Sequence, residues 1–198
     1  MKSEYFAVIL IIFIILVCSK MFIESDYYNL SCIVSTVDGN KYCVRVKENL
    51  NQQETVDLLA RVTNKCKKLV KYLGEKYPER GNVKRLVKNF NPTQVKEILP
   101  TSEFTAYSEN KGEKLAFCTT TKKRGGNLID ENTLTFVAIH ELSHIASKTI
   151  GHNDEFWKNF KFLLQYAEKI NIYNPIDYKK SPKNYCGMRI TDNPYYDL

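Results

Sequence analysis

The longest apolar run of the chain lies close to its N-terminus. Tyr5–Cys18 contains no charged residue, and Lys20 follows shortly after it. As a helix this run is only about 21 Å long, against roughly 30 Å for a bilayer core. Extending it over residues 5–23 adds length, because Lys20 near one end can reach the lipid headgroups. The pattern therefore predicts a membrane-spanning anchor in residues 1–23 and a single-pass membrane protein.

A cleavable signal peptide is the competing interpretation of the same segment. Val17 and Ser19 are small enough for a cleavage site after Ser19, although no A-x-A sequence is present. Cleavage there predicts a secreted protein instead of an anchored one. The flanking charges nearly balance, so the sequence does not indicate an orientation across the membrane.

Beyond this run, strand-like and helix-like patterns follow one another. Residues 31–46 alternate loosely around the Asp-Gly turn at 38–39, which predicts a hairpin. Apolar residues recur near a period of 3.6 from Gln52 to Leu73, which predicts a helix. Residues 83–90 fit a strand or a short helix equally well. A second hairpin is predicted over residues 103–121, around a central E-N-K-G-E-K turn.

Two further helices are predicted after the second hairpin. The first begins near Asp130 or Asn132, both good N-caps, and ends at about Ile150, with Gly151 as a left-handed C-cap. Asn153 can cap the second helix. The apolar stripe of that helix predicts a packed core face, and it comprises Phe156, Trp157, Phe160, Leu163, Leu164, Ala167 and Ile170.

The end of the chain shows no clear period. From Asn171 it is rich in Tyr, Asn and Pro, which predicts an irregular C-terminal tail over residues 171–198. Residues 24–198 provide one domain's length of chain, and no internal repeat divides them. The mixture of hairpins and helices predicts an α+β fold.

Charge and cysteine content add two further expectations. The net charge is +7, and Lys and Arg are concentrated between Arg61 and Lys96. This segment is expected to be a solvated helix face, with nucleic-acid or anionic-membrane binding as the alternative. None of the six cysteines forms a C-x-x-C pair. Cys32 and Cys43 flank the first hairpin and can form a disulfide in an oxidising compartment, but scattered buried thiols are the expectation.

All three histidines of the chain fall between residues 140 and 152. In H-E-L-S-H, His140 and His144 are spaced i and i+4, so both rings face one side of a helix. Two such imidazoles can hold one zinc ion, and His152 is the candidate for the third protein ligand of a catalytic site. With the fourth position open to water, Glu141 is expected to act as general base. The motif predicts one Zn²⁺ per chain and peptide-bond hydrolysis.

Other interpretations of the histidine cluster remain open. A zinc ion that only stabilises the fold is one, although such sites usually use cysteine and no cysteine is near the motif. Chance clustering is another. An acidic residue can replace His152 as a ligand, with Asp154, Glu155 and Glu168 as the candidates. Among many tyrosines, Tyr178 and Tyr185 can stabilise an oxyanion but are not selected, and Met188 is expected to be a packing residue.

With H-E-L-S-H followed by G-H-N-D-E-F-W, the chain resembles the WLM branch of zinc metallopeptidases and, more loosely, the SprT/Spartan-like proteases. L-I-D-E-N-T-L-T-F-V-A-I-H-E-L-S-H-I-A and Y-C-G-M-R-I are similar to short WLM-related proteins of large DNA viruses. The resemblance covers about residues 50–190. It implies a zincin-like fold, in which a small twisted sheet packs on the motif helix. It also implies His140, His144 and His152 as zinc ligands and Glu141 as general base.

The chain departs from that family in two respects. The gap between His144 and His152 is longer, and no partner-binding motif accompanies the predicted membrane segment. A role on DNA–protein crosslinks, which the cellular proteases have, is therefore not expected. The first hypothesis is a membrane-anchored zinc metallopeptidase of a host or virion membrane that cleaves a protein or peptide substrate. The alternatives are a zinc-stabilised structural membrane protein of a virion and a DNA-associated WLM-like protease. The oligomeric state is not indicated.

Overall fold

The computed structural model describes residues 2–25, 29–47 and 50–197. Helix α1 (Lys2–Ile23) contains the apolar run. Its stretch Tyr5–Ile23 is long and apolar enough to cross a bilayer, and none of it is buried against the rest of the protein. This exposure argues against a core helix. An anchor and a signal sequence both fit, so the choice between them stays a prediction.

A five-stranded mixed sheet forms one layer of the fold, with the strand order β1-β2-β3-β5-β4. The predicted first hairpin is confirmed as the antiparallel pair β1–β2, and the second as the antiparallel pair β4–β5. Strand β3 joins the two hairpins by parallel pairing with β2 and β5. The strands are β1 (Leu30–Val34), β2 (Lys41–Arg45), β3 (Val95–Glu97), β4 (Ala106–Glu109) and β5 (Lys114–Phe117).

Four helices pack on the sheet and on one another. They are α2 (Gln52–Lys76), α3 (Gly81–Asn89), α4 (Glu131–Ala146) and α5 (Asp154–Lys169). Helix α4 is central, because it contacts α2, α3, α5 and the edge strand β4. Twelve of its sixteen residues are buried, as expected for a helix that packs against several other elements. The predicted α+β class is confirmed.

Two helices settle what their sequence patterns left open. Residues 83–90 fall almost wholly in helix α3, because Val83 and Leu86, three residues apart, both point into the core. Helix α4 begins after Asp130, whose side chain accepts a hydrogen bond from Thr133 N. It ends at Ala146, four residues before the predicted end at Ile150.

Ser147 accounts for this early end of α4. Its backbone is extended, and its hydroxyl donates to Ser143 O at 2.8 Å and accepts from Asn159 Nδ2 at 2.9 Å. These bonds hold the chain as it leaves the helix. Gly151 does have a left-handed backbone, with φ +87°, but it lies in the following loop and not at the helix cap.

The C-terminal segment is more ordered than predicted. Within residues 171–198, strands β6 (Lys183–Tyr185) and β7 (Met188–Ile190) form a hairpin. The N–H groups of its turn residues Cys186 and Gly187 donate to Thr120 O and Thr121 O, each at 2.9 Å. The hairpin is therefore fixed against the chain that leaves β5.

The expectation of scattered thiols is wrong for four of the six cysteines. Cys32 forms a disulfide with Cys43 across the first hairpin, and Cys118 forms one with Cys186 in the C-terminal hairpin. Cys66 is a buried thiol, and burial raises its pKa to about 12. The Cys32–Cys43 disulfide is the alternative that the predicted hairpin around the turn at 38–39 allowed. The residues of the second pair are distant in sequence.

The basic segment 61–96 is partly neutralised by acids from other helices. Arg61 and Lys65 both pair with Glu131, at 2.8 and 2.6 Å. Arg85 pairs with Glu155 at 3.0 Å. These contacts agree with a solvated helix face, and nucleic-acid binding stays a prediction.

Candidate active site

Helix α4 and the loop after it bring the three histidines together. His140 and His144 lie one turn apart on α4, with 3.2 Å between their Nε2 atoms. The chain then reverses, and His152 Nε2 approaches His140 Nε2 at 3.0 Å. The three ligand nitrogens all lie within 4.8 Å of one another. His152 thus meets His144 and His140, which lie eight and twelve positions before it in the sequence.

A buried aromatic ring supports all three imidazoles. The ring of Phe156 lies 4.8 Å from that of His140, 4.4 Å from His144 and 4.6 Å from His152, measured between centroids. Phe156 is completely buried on the first turn of α5. Because Asn153 caps α5 immediately after His152, the start of this helix fixes both the supporting ring and the direction of the loop.

His140 and His144 are held in their neutral form. Burial, reinforced by the neighbouring His144 and His152, lowers the pKa of His140 to about 3. Burial first, and then the neighbouring His152 and Lys111, lower the pKa of His144 to about 4. Neutral imidazoles keep the lone pair that a metal ligand requires. Three converging imidazole nitrogens fit a catalytic zinc ion, which takes three protein ligands.

Glu141 follows His140 on α4 and lines the same cavity as the three histidines. Its side chain is only 5% exposed. Burial raises the pKa of its carboxyl to about 8. An ordinary glutamate is almost entirely ionised at neutral pH, whereas this one can take up and release a proton there.

The cleft in front of the cluster has a volume of about 1220 Å³. The cleft is lined by β4 with its flanking residues, 103–111 together, and by the C-terminal hairpin with residues 191, 192 and 194. Its floor is formed by α4, where Phe136 and Val137 precede the histidines. The cleft is open to solvent, because several of its lining side chains are exposed.

Four large apolar side chains at the cleft are exposed to solvent. They are Phe104 at 62%, Ile150 at 91%, Trp157 at 44% and Met188 at 49%. The expectations that Trp157 belongs to the core face and that Met188 is a packing residue are therefore wrong. Sequence reasoning missed their role because an apolar residue in a helical stripe or a short strand is usually buried.

The two tyrosines considered for oxyanion stabilisation occupy different places. Tyr185 lines the cleft, but its hydroxyl donates to Thr105 O at 3.1 Å and accepts from Cys118 N at 3.2 Å. Burial first, and then Glu141, hold its pKa well above the ordinary value. Tyr178 packs in the core against Phe136, with 4.9 Å between ring centroids. Neither hydroxyl is directed at the histidine cluster by these contacts.

The acidic alternatives to His152 have other partners. Glu155 accepts hydrogen bonds from Lys148 N and binds Arg85. Glu168 accepts from the Tyr195 hydroxyl at 3.0 Å. Asp154 occupies the first turn of α5, where a negative charge stabilises the helix. Across the described ranges, the group that brings three ligand atoms together consists of the histidines alone.

Comparison with known proteins places the chain among viral sequences. No family model matches it. A match to uncharacterized protein 042R of Invertebrate iridescent virus 3 has 39% identity and covers 42% of this chain. A match to uncharacterized protein 136R of Invertebrate iridescent virus 6 has 35% identity and covers 41% of this chain. These matches span 50% and 44% of the two viral proteins.

Among solved structures, the crystal structure of Wss1 from Saccharomyces cerevisiae is similar, with a TM-score of 0.45 and 16% identity. That match covers 65% of this chain and 87% of the other. The longest sequence match is with uncharacterized protein R325 of Acanthamoeba polyphaga mimivirus, 30% identical over 169 residues. It covers 82% of this chain and 83% of R325. The chain therefore belongs to the same family as the mimivirus protein R325.

Proposed function

We propose that this protein is a viral zinc metalloendopeptidase, with His140, His144 and His152 as the ligands of one zinc ion and Glu141 as the general base. The observation that carries the proposal is the convergence of three imidazole nitrogens within 4.8 Å, beside a buried carboxyl and inside an open cleft. A structural zinc site has no use for an open cleft or for a titratable carboxyl at its edge.

The residues divide the work of hydrolysis between them. When bound, zinc supplies Lewis-acid activation of water and of the substrate carbonyl. Glu141 takes a proton from the attacking water and passes it to the nitrogen of the leaving amine. Burial raises the pKa of its carboxyl, which favours a group that both accepts and returns a proton. The edge of β4 offers backbone groups that can pair with an extended substrate.

The exposed apolar side chains at the cleft indicate the class of substrate. Phe104, Ile150, Trp157 and Met188 all line the groove and face solvent. Exposed apolar clusters at a groove are typical of binding sites. We therefore propose that the substrate is a polypeptide with bulky apolar residues close to the scissile bond.

We assign residues 24–198 to a zincin-like peptidase domain and residues 5–23 to a single membrane span. The apolar length of Tyr5–Ile23 and its complete exposure support this assignment. Anchoring would place the cleft close to a host or virion membrane and would limit the substrates to proteins near it. If the segment is a signal peptide, the same domain is secreted.

The test compares the full chain, purified in detergent and loaded with zinc, with its Glu141→Gln variant. Both are incubated with a diverse peptide mixture, and the cuts are read by mass spectrometry. We expect cuts by the wild type that the variant does not make, while the two proteins bind zinc equally. Equal cutting by both proteins, or no cutting by a zinc-bound wild type, would contradict the proposal.

A zinc-stabilised structural membrane protein is the second candidate. It is favoured by the packing of the histidines on Phe156, through which a metal would join α4 to α5. In that case Glu141→Gln leaves both stability and biological function intact, whereas His144→Ala unfolds the protein. Thermal unfolding of the two variants, measured beside the cleavage assay, separates the candidates.

A further inference from the structure

The loop of residues 147–152 connects the two helices of the site and carries the third histidine. We infer that Lys111, Arg85 and Glu155 are positioning residues that hold this loop and thereby set His152 at the metal position. This inference rests on the proposed function, because it concerns how the third ligand of the proposed zinc site is placed. It also accounts for the long gap between His144 and His152.

Lys111 holds both ends of the turn into the loop. Its ammonium group donates to three backbone carbonyls: His144 O at 3.3 Å, Ser147 O at 3.0 Å and Thr149 O at 2.6 Å. The first belongs to the last turn of α4, whose carbonyls lack partners within the helix. The other two belong to the loop itself. One side chain therefore ties the end of the helix to the segment that leads to His152.

The turn that carries Lys111 is itself fixed in place. Asn110, Lys111 and Gly112 all have positive φ angles, of 47°, 59° and 117°. A Cβ atom at Gly112 would lie 2.6 Å from Asn89 O and 3.0 Å from Ile145 Cδ1. The turn thus fits closely between the end of α3 and helix α4. A left-handed lysine costs of order 1 kcal/mol, and here that conformation directs its side chain under the loop.

Arg85 and Glu155 hold the same loop from the other side. Arg85 Nε donates to Ala146 O at 2.7 Å, and Arg85 Nη2 donates to Glu155 at 3.0 Å. Glu155 accepts from Lys148 N at 3.1 Å and from the Thr149 hydroxyl at 3.3 Å. Side chains from α3, α5 and the β4–β5 turn therefore converge on four consecutive residues, 146–149.

The consequence falls on His152 rather than on the other two ligands. His140 and His144 are fixed by a buried helix, whereas residues 148–152 are exposed and include the left-handed Gly151. Ordering an exposed loop costs about 1–2 kcal/mol per residue in backbone entropy. If the first half of the loop were free, that cost would be incurred at metal binding. Anchoring residues 146–149 leaves only a short span to order.

The experiment is a double-mutant cycle on zinc affinity in the full chain purified in detergent. Lys111→Met and Lys111→Arg are each made in the wild-type and His152→Ala backgrounds, and affinity is measured by competition with a chelating dye. Lys148→Met is the matched control, because it makes the same change at an exposed lysine of the loop. Thermal unfolding in excess chelator reports folding without metal.

We expect Lys111→Met to lower zinc affinity about 10- to 100-fold, the usual effect of losing an outer-shell partner. Lys111→Arg recovers most of it, and Lys148→Met has no effect. In the His152→Ala background, Lys111→Met changes affinity less than about 2-fold, because the positioned ligand is gone. A merely structural lysine would lower affinity equally in both backgrounds, and that result overturns the inference.

Three further outcomes are informative. If Lys111→Met fails to fold, Glu155→Gln is carried through the same cycle. We expect the same pattern of affinities, and an equal loss in both backgrounds would again overturn the inference. If the wild type binds zinc and Lys111→Met binds it with the same affinity, the positioning role is overturned and the proposed function stands. A wild type that binds no zinc overturns the proposed function, and this inference with it.

Discussion

The indole N–H of Trp157 donates to the backbone carbonyl of His152 at 3.0 Å. The bond links the third histidine to the first turn of α5, and the two rings lie 5.9 Å apart between centroids. Because Trp157 is half-exposed at the cleft, one residue both borders the cleft and restrains the loop that carries a proposed ligand.

Trp157→Phe is expected to weaken zinc binding by about 2- to 10-fold, since one hydrogen bond contributes roughly 0.5–1.5 kcal/mol. Phenylalanine keeps an aromatic ring against Phe156 and removes only the donor. Chelator competition on the full chain measures the change. Trp157→Leu removes the ring as well and should weaken binding further. Equal affinities for wild type and Trp157→Phe would show that the bond to His152 has no influence on the site.

Glu141→Gln is expected to reduce kcat by about 10²- to 10⁴-fold, the usual contribution of a general base. The amide has nearly the same shape, so zinc content and unfolding temperature should remain close to wild type. Kinetics on a peptide identified from the mixture, with metal analysis of the same sample, measures both. A variant that loses zinc together with activity would indicate a role in metal binding instead.

Ile150→Ser is expected to lower kcat/KM by roughly 10-fold on substrates with a bulky apolar residue near the cut, because covering a large aliphatic side chain contributes about 1.5–3 kcal/mol. Stability should not change, since Ile150 is 91% exposed.

The control for Ile150→Ser is a pair of peptides that differ only in that apolar residue. The variant should distinguish them less well than the wild type does. If the ratio of kcat/KM values for the two peptides is the same in the variant as in the wild type, Ile150 takes no part in substrate recognition.

Glu97→Gln is expected to destabilise the fold by about 3–5 kcal/mol, because breaking a buried ion pair leaves charges without a counterion. Glu97 is completely buried and accepts hydrogen bonds from Arg45 Nε at 2.9 Å, Arg45 Nη2 at 2.7 Å and the Thr119 hydroxyl at 2.7 Å. Lys47 is bound to the same carboxylate. Urea unfolding in the presence of chelator measures the loss.

The control for Glu97→Gln is Glu75→Gln, at an exposed pair with Lys71 on α2. A surface pair of this kind contributes about 0–1 kcal/mol. Comparable losses of stability in the two variants would mean that the buried cluster on β2 and β3 is not a major source of stability.

Cys186→Ser is expected to cost roughly 4 kcal/mol of stability and Cys32→Ser roughly 3 kcal/mol, since a longer closed loop restricts the unfolded chain more. The sequence separations are 68 and 11 residues. Only Cys186→Ser should also reduce cleavage, because the hairpin it holds forms a wall of the cleft.

Urea unfolding and the peptide assay, both without reductant, measure these two effects. A Cys32→Ser variant that loses as much activity as Cys186→Ser would show that the C-terminal hairpin has no special part in the cleft.

Local patterns in the sequence were enough to predict the site's geometry in part. The i, i+4 spacing fixes His140 and His144 on one face, and Asn153 marks the start of α5. The hairpins and the long helix α2 follow equally from short-range periodicity. What the sequence did not show is long-range. The pairing of Cys118 with Cys186 depends on a hairpin of eight residues, 183–190, that carries almost no periodic signal.

The same limit applies to the loop before His152. Helix α4 stops at Ala146 because Ser147, Lys111 and Arg85 donate to its last carbonyls, those of Ser143, His144 and Ala146. Lys111 and Arg85 lie far away in the sequence. Helix propensity alone would continue the helix to Ile150. For Trp157 and Met188, apolar character predicted burial, whereas the open cleft keeps both at the surface.

The three histidines differ in their freedom to move. Two lie on a helix that is mostly buried, and the third lies on an exposed loop. In the proposed zinc site, exchange of the metal with solvent would need only a displacement of the exposed residues 150–152, without unfolding of the core. Capture and release would be governed by local opening, which is much faster than global unfolding. A protein built this way can acquire its metal after it has folded, at whatever place the ion first becomes available.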